Sequence, residues 1–166
     1  MSDYYFITSK LNGNVLDIQG GNTDPKTPII SYPQNSPTSD NQLWQLVPTG
    51  PIDPAGGQSQ YYIQSKLNGF VLDIEGGNTN PATPIISYPI NSPASNNQIW
   101  QIIESDIEGY FYITSLLNSY VLDIEGGNPA PETPIISYPQ NSPTSDNQLW
   151  SLVNANQASQ KKSAFA

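Results

Sequence analysis

Residues 27–44 read TPIISYPQNSPTSDNQLW, and residues 133–150 read the same, letter for letter. Residues 83–100 carry a close variant, TPIISYPINSPASNNQIW. A fold that is built from repeats requires its core residues to recur, but it does not require the polar residues of its loops to recur. The nearly unchanged Asn, Gln and Asp residues therefore indicate that something besides the core is repeated in this chain.

The match extends to three repeats, at residues 4–47, 60–103 and 110–153. A Pro/Gly-rich connector, PTGPIDPAGGQSQ, joins the first two repeats, and a shorter acidic connector, ESDIEG, joins the last two. Both compositions are typical of loops. We expect one domain over residues 1–153, followed at 154–166 by a small, polar C-terminal tail that is frayed.

Each repeat contains four strand-like runs and shows no helical periodicity. In the first repeat these runs are YYFITS, NVLDI, PIISY and QLWQLV. Asn12 and Gly13 give a strong hairpin signal between the first two runs. The alternation in NVLDI directs Asp17 to the face opposite Leu16 and Ile18. The repeat is thus predicted to be a four-stranded unit in which Val15 and Asp17 share one face of the second strand.

Twelve strands in three matching units predict a closed ring. The first and last repeats match each other most closely, whereas an open array requires distinct polar caps at its ends. Closure also removes free sheet edges. The predicted fold is an all-β β-trefoil with pseudo-threefold symmetry, in which paired strands form a short barrel and the other hairpins cap one end. A three-bladed propeller is the alternative.

The composition restricts the ligand. The formal charge is −9, with no Cys, no His and no Arg, so nucleic acid and anionic membranes are disfavoured as partners. We expect no metal and no cofactor, since Cys and His, the commonest zinc ligands, are absent. We expect no membrane insertion, since no apolar run approaches about 20 residues. The start of the chain shows no secretory signal, which predicts a cytoplasmic location or release by a non-classical route. A neutral ligand is favoured.

The Gln-x-Trp pattern at the fourth run connects the chain to a known family. It occurs in every repeat, as Gln42/Trp44, Gln98/Trp100 and Gln148/Trp150. With it the sequence resembles the ricin B-type (R-type) β-trefoil lectins, and it is most similar to the fungal branch, where D-x-x-x-G and T-P-I runs precede Q-x-W. The resemblance covers residues 4–153. It implies one sugar pocket per repeat, between the second and third strands and the start of the fourth.

The resemblance also implies which residues contact the sugar: an Asp of the second strand, a Tyr that ends the third, and two Asn of the following loop, with the Gln of Q-x-W in support. A Gln that is often found two places before the aromatic is replaced here by Ile30, Ile86 and Ile136, so the sugar preference stays open, with galactose or N-acetylgalactosamine expected. The implied carbohydrate-binding residues are Asp17, Tyr32, Asn35 and Asn41; Asp73, Tyr88, Asn91 and Asn97; and Asp123, Tyr138, Asn141 and Asn147, supported by Gln42, Gln98 and Gln148.

These residue types suit a pyranose. A Tyr ring covers the C–H face of the sugar, a carboxylate accepts from two adjacent hydroxyls, and Asn both donates and accepts. Structural roles compete with this interpretation, because the Asp could cap a turn and the Tyr could pack in the core. For Trp44, Trp100 and Trp150 we expect the barrel core, and for the three Gln we expect bonds to loop backbone or to the Asp.

Catalysis is not predicted. A Ser nucleophile would have no His base, and a glycosidase needs two carboxylates, whereas Gln19 stands in the first repeat where Glu75 and Glu125 stand in the others. The alternative to a lectin is a β-trefoil protease inhibitor or another protein-binding module. Its distinctive loop would be 48–59, which offers no basic or bulky apolar anchor. We therefore predict a lectin with up to three equivalent pockets that binds glycans of glycoproteins or glycolipids; its oligomeric state, homodimer included, stays open.

Overall fold

A computed structural model describes residues 3–50 and 59–156. These residues contain twelve strands and six short 3₁₀ turns. The strands are β1 (Tyr5–Ser9), β2 (Val15–Ile18), β3 (Thr27–Tyr32), β4 (Trp44–Pro48), β5 (Tyr61–Ser65), β6 (Val71–Ile74), β7 (Thr83–Tyr88), β8 (Trp100–Glu104), β9 (Phe111–Ser115), β10 (Val121–Ile124), β11 (Thr133–Tyr138) and β12 (Trp150–Asn154). The 3₁₀ turns are Gln19–Gly21, Asp40–Gln42, Glu75–Gly77, Asn96–Gln98, Glu125–Gly127 and Asp146–Gln148.

The first and last strands of each repeat form a closed six-stranded barrel. Its antiparallel pairs run in order from β1 to β4, β5, β8, β9 and β12, and β12 pairs with β1 from Tyr5↔Asn154 to Ser9↔Trp150. The barrel is therefore closed by the pairing of β1 with β12, and the predicted ring is confirmed.

The second and third strands of each repeat form a hairpin that caps the barrel. The third strands β3, β7 and β11 also pair with one another, so the three hairpins meet in a triangle. In this triangle the first residue of β3, Thr27, lies opposite Ser87 of β7 in the next repeat. This arrangement is the predicted β-trefoil.

One apolar cluster fills the barrel and the space beneath the cap. It contains Ile7, Leu16, Ile18, Ile29 and Trp44 with their equivalents in the other repeats. The Trp44 side chain is 1% exposed, and its Nε1 donates to the carbonyl oxygen of Leu16 at 3.0 Å. The prediction that the three tryptophans belong to the core is confirmed.

The fourth strand begins later than the sequence predicts. The predicted run QLWQLV starts at Gln42, whereas β4 starts at Trp44 and Gln42 ends a 3₁₀ turn. The backbone nitrogens of Gln42 and Leu43 donate to the carbonyls of Ser39 and Asp40 at 3.2 Å, so they are bonded within the turn and are not available to a neighbouring strand. The same correction applies to Gln98 and Gln148.

Regular structure continues past residue 153, into the first residues of the segment that was predicted to be a frayed tail. Strand β12 includes Asn154, and the Ala155 nitrogen donates to the Tyr4 carbonyl at 2.9 Å. Residues 157–166 of the predicted tail and 51–58 of the predicted divergent loop lie outside the described residues. Over the described ranges, no helix is both long and apolar enough to cross a bilayer.

Candidate functional site

Three surface cavities, one in each repeat, contain the residues singled out in the sequence. Site 1, site 2 and site 3 have volumes of about 330, 570 and 450 Å³, which falls within the range of small-ligand pockets. Each is lined by the predicted Asp, Tyr and two Asn of its own repeat. These are Asp17, Tyr32, Asn35 and Asn41 in site 1; Asp73, Tyr88, Asn91 and Asn97 in site 2; and Asp123, Tyr138, Asn141 and Asn147 in site 3.

The cap hairpin explains why these side chains meet. Asp17 lies on β2 between Leu16 and Ile18, which belong to the core cluster, so its side chain points to the other face. On β3, Ile30 is the residue paired with Asp17, and it forms an apolar wall of the cavity. Tyr32 ends the same strand. The strand register therefore places the carboxylate, the apolar wall and the aromatic ring together.

Two amide side chains orient the Asp17 carboxylate. Its Oδ1 accepts from Asn41 Nδ2 at 3.2 Å, and its Oδ2 accepts from Gln42 Nε2 at 2.8 Å. Asp17 is 3% exposed, so the direction of its remaining lone pairs is fixed by these contacts. Asp73 and Asp123 have the same two partners in their own repeats at 2.8–3.2 Å.

Gln42 holds the site together without facing the cavity. Its Nε2 also donates to the Pro33 carbonyl at 2.9 Å, and its Oε1 accepts from the Asn35 backbone nitrogen at 2.8 Å. The side chain is fully buried and uses both its donor and its acceptor groups on protein partners. Gln42, and likewise Gln98 and Gln148, is therefore a positioning residue that connects the Asp to the loop after β3.

The atoms left for a ligand are mainly acceptors. Asn41 Nδ2 donates to Asp17 and to the Ile18 carbonyl at 3.1 Å, while its Oδ1 makes no hydrogen bond within the described chain. Asn35 Nδ2 donates to Ser39 Oγ at 2.8 Å. The cavity thus presents a carboxylate and an amide oxygen beside a partly exposed Tyr32 ring, and such a set suits a ligand with several hydroxyl donors and an apolar face.

The family follows from a comparison of sequence models. A model described as "Ricin-type beta-trefoil lectin domain-like" matches residues 1–88, 52–138 and 96–161 in overlapping segments. The chain belongs to this ricin-type family. The resemblance inferred from Gln-x-Trp is thereby confirmed. Among curated proteins, no sequence matches.

Solved structures of similar shape include a designed symmetric protein and two lectins. The designed threefold symmetric protein ThreeFoil is 26% identical, with 90% of this chain and 97% of that chain covered and a TM-score of 0.79. The ricin B-like lectin of the fungus Macrolepiota procera, in complex with lactose, is 26% identical, with 90% and 94% covered and a TM-score of 0.71. The C-half of the earthworm R-type lectin, in complex with GalNAc, is 30% identical, with 92% and 98% covered and a TM-score of 0.65.

Burial raises the pKa of the site carboxyls in this ricin-type domain. For Asp17, desolvation raises the pKa above its ordinary value of 3.8, while the hydrogen bonds from Gln42 and Asn41 lower it by less. For Asp73 and Asp123 desolvation is again the largest cause, and the nearby Glu75 and Glu125 carboxylates raise the pKa further. The site carboxyls therefore take up protons at a higher pH than exposed aspartates do.

The backbone conformation of Gly21, rather than a lack of space, favours glycine beside Asn41 at the floor of the cavity. Gly21 has a φ of +63°, and a Cβ added there would lie 3.9 Å from Asn41 Cγ. A distance of 3.9 Å is an ordinary van der Waals contact, but glycine adopts this left-handed conformation at a lower steric cost than other residues do. Gly20 and Gly21 both line site 1, and the sequence pattern did not predict this role.

One lining residue of each site comes from another repeat, and the sequence analysis missed it. Site 1 contains Glu132, site 2 contains Lys26 and site 3 contains Ala82. The three positions are equivalent, each directly before the invariant TPIISYP. The expectation of three equivalent pockets is wrong at this position. A signal was present, since a Lys, an Ala and a Glu precede a segment that otherwise does not change.

The described residues offer no ready metal site. No group of three or more Asp, Glu, His or Cys side chains within 3–50 and 59–156 could hold a metal ion.

Proposed function

We propose that this ricin-type domain is a lectin that binds the terminal sugars of glycans at up to three sites, with galactose or N-acetylgalactosamine as the preferred class. One observation carries the proposal: in every repeat the same four kinds of side chain line one cavity, and two amide side chains orient the carboxylate. Two relatives of the chain support the sugar class, since they are lectins in complex with lactose and with GalNAc.

The arrangement suggests how a sugar is held. Asp17 accepts from two adjacent ring hydroxyls, and such charge-assisted bonds are about twice as strong as neutral ones. The Tyr32 ring covers the C–H face, and Ile30 supplies an apolar wall where a further hydrogen-bonding side chain is absent. Because the amide contacts already fix Asp17 and the loop, binding orders few groups, which favours a small ligand.

Several weak sites act together in this proposal. A single pocket of this kind is expected to bind with a Kd of about 1 mM, or roughly −4 kcal/mol. Attachment to a dense glycan surface through two or three sites raises the avidity by about 10²–10⁴. The triplication of the site thus gives tight attachment without catalysis, and we propose a binding protein rather than an enzyme.

A glycan array on the labelled protein tests this function. We expect signal on glycans that end in galactose or N-acetylgalactosamine, competition by free lactose, and no change on adding a chelator. A matched control replaces the three partly exposed site tyrosines, as Tyr32→Ala, Tyr88→Ala and Tyr138→Ala, and should lose the signal while keeping a cooperative melt. A blank array for the native protein would refute the proposal, and inhibition of a protease panel by that protein would favour the protease-inhibitor alternative.

A further inference from the structure

The three sites differ in the charge that a neighbouring repeat brings to them. Site 2 is lined by two acidic residues, Asp73 and Glu75, and by Lys26. Site 1 is lined by Asp17 and Glu132 and has no cation. Site 3, lined by Asp123 and Glu125, has the uncharged Ala82 at the variable position. Lys26 is thus the one cationic side chain among the described residues that line the three sites.

Strand pairing fixes the backbone of Lys26 at the rim of site 2. The Lys26 nitrogen donates to the Ser87 carbonyl at 2.8 Å, beside the pair Thr27↔Ser87 that joins β3 to β7. The Lys26 φ of +70° lies in the left-handed region, which a non-glycine residue keeps only when its surroundings hold it there. Thr27 Oγ1 closes the preceding loop by donating to the Asp24 carbonyl at 2.7 Å.

The other two sites hold their incoming residue in the same way. The nitrogens of Ala82 and Glu132 donate to the carbonyls of Ser137 and Ser31 at 2.8 Å, with φ of +66° and +69°. Three different side chains therefore start from equivalent backbone positions. Since the backbone is the same and the following TPIISYP is invariant, only the side chain changes at this position from one site to the next.

The Lys26 ammonium has no partner within the described chain. The ion pairs found there join Lys10 to Asp146 at 3.1 Å and Lys66 to Asp40 at 3.6 Å. Lys26 is exposed, and its Nζ makes neither a hydrogen bond nor an ion pair with the described residues. Its charge is therefore available to a ligand that occupies site 2.

We propose that the residue entering from the neighbouring repeat sets the charge selectivity of each site, and that site 2 takes glycans bearing a carboxylate or sulfate next to the sugar in the pocket. This inference rests on the proposed lectin function and deepens it. Site 1 disfavours such glycans, because Glu132 stands where Lys26 stands in site 2. Selectivity then arises from attraction at one site and repulsion at another, both exerted from the same backbone position.

The size of the effect follows from exposure. A solvent-exposed ion pair changes an equilibrium by about two- to fivefold, and salt screens it. An anionic glycan in site 2 also approaches the Asp73 and Glu75 carboxylates, which repel it. The measured quantity is therefore the ratio of the Kd for an acidic glycan to the Kd for its neutral parent, and this ratio is compared between sites. This ratio should be about two- to fivefold lower at site 2 than at site 1, and the difference should shrink as salt is added.

Nuclear magnetic resonance on the intact protein can measure the three sites separately. Each site is lined by its own glycine pair, so the backbone amides of Gly20/Gly21, Gly76/Gly77 and Gly126/Gly127 act as independent reporters. The probes are lactose, lactose with a sulfate on its galactose, and lactose with a sialic acid on its galactose. Comparing the last two identifies whether sulfate or carboxylate is the preferred anion, and a lower ratio at site 2 for either one supports the proposal.

Substitutions at the variable position provide matched variants. Lys26→Ala copies the residue found at Ala82, which shows that alanine is accepted at this backbone position, and it should raise the site 2 ratio to that of site 3. Glu132→Lys should lower the ratio at site 1 by about two- to fivefold. Lys66→Ala removes one lysine outside the three linings and should leave all three ratios unchanged.

Two results would overturn the inference while leaving the lectin function in place: equal ratios at all sites in the native protein, or a site 2 ratio that Lys26→Ala does not raise. If no probe, lactose included, shifts any of the glycine reporters, the proposed function fails and this inference fails with it.

Discussion

Replacing Asp17 by alanine separates the ligand-binding role of the carboxylate from its structural role. The substitution removes the acceptor of Asn41 Nδ2 and of Gln42 Nε2, so one N–H of each buried amide loses its partner. Each loss costs about 1–3 kcal/mol, and part of this cost is offset because a buried charge is removed at the same time. We expect a net loss of about 2 kcal/mol, which corresponds to a melting temperature lower by about 4–8 °C for a domain of this size.

The same change should silence site 1 alone. A charged hydrogen bond contributes about 1.5–3 kcal/mol, which is enough to remove a millimolar site from a titration. The assay combines a thermal melt with a lactose titration of the site 1 glycine reporters. Tyr32→Ala is the matched control: it should lose site 1 binding but keep the melting temperature nearly unchanged, because Tyr32 has no part in the amide network. Retained site 1 binding in Asp17→Ala would refute the acceptor role, and an unchanged melt would refute the account of the buried amides.

Three further predictions follow from the same geometry. First, acid should abolish sugar binding before it unfolds the protein. Folding raises the pKa of Asp17, Asp73 and Asp123, so their protonation stabilises the folded state as the pH falls toward 3.8, while it removes the carboxylate acceptors that the sugar needs. If a melt and a sugar titration showed folding and binding lost at the same pH, this prediction would be wrong. Second, Trp44→Ala should lower the free energy of unfolding, measured by chemical denaturation, by about 3–5 kcal/mol, because it leaves a cavity in the barrel core. A loss below about 1 kcal/mol would show that Trp44 does not pack in the core. Third, removing the site tyrosines one at a time should lower the stoichiometry stepwise, and agglutination should persist until fewer than two sites remain; loss of agglutination with the first substitution would show that the sites are not independent.

The sequence predicted those features that recur within one repeat. Alternation along NVLDI places Asp17 on the face opposite Leu16 and Ile18, and the repeated Tyr and Asn residues line the same cavity in each of the three repeats. The turn at Asp40–Gln42 was not predicted, because a strand-like composition does not reveal that backbone bonds are already made to Ser39 and Asp40. The bonds from Gln42 to Asp17 and to the Pro33 carbonyl are those that were expected for this Gln. The bond from Asn41 to Asp17 was not predicted, because it joins side chains 24 positions apart in the chain.

The contribution of Lys26 to site 2 could not be found by reading one repeat at a time. It depends on the pairing of β3 with β7, a contact between different repeats that no periodicity within a repeat encodes. Variation at an otherwise invariant segment was the available signal, yet variation alone does not tell a solvent-exposed position from one that lines a neighbour's cavity.

Each repeat supplies one lining residue to the site of the next repeat around the ring, so the order of the repeats decides which residue enters which site. Repeat 1 supplies site 2, repeat 2 supplies site 3, and repeat 3 supplies site 1. Moving the first repeat to the end of the gene leaves every donor beside the same recipient. Exchanging the first two repeats instead would bring Lys26 to site 3, Ala82 to site 1 and Glu132 to site 2. An exchange of whole repeats, without a single amino-acid substitution, would thus change which of the three sites contains the lysine and which contains the glutamate.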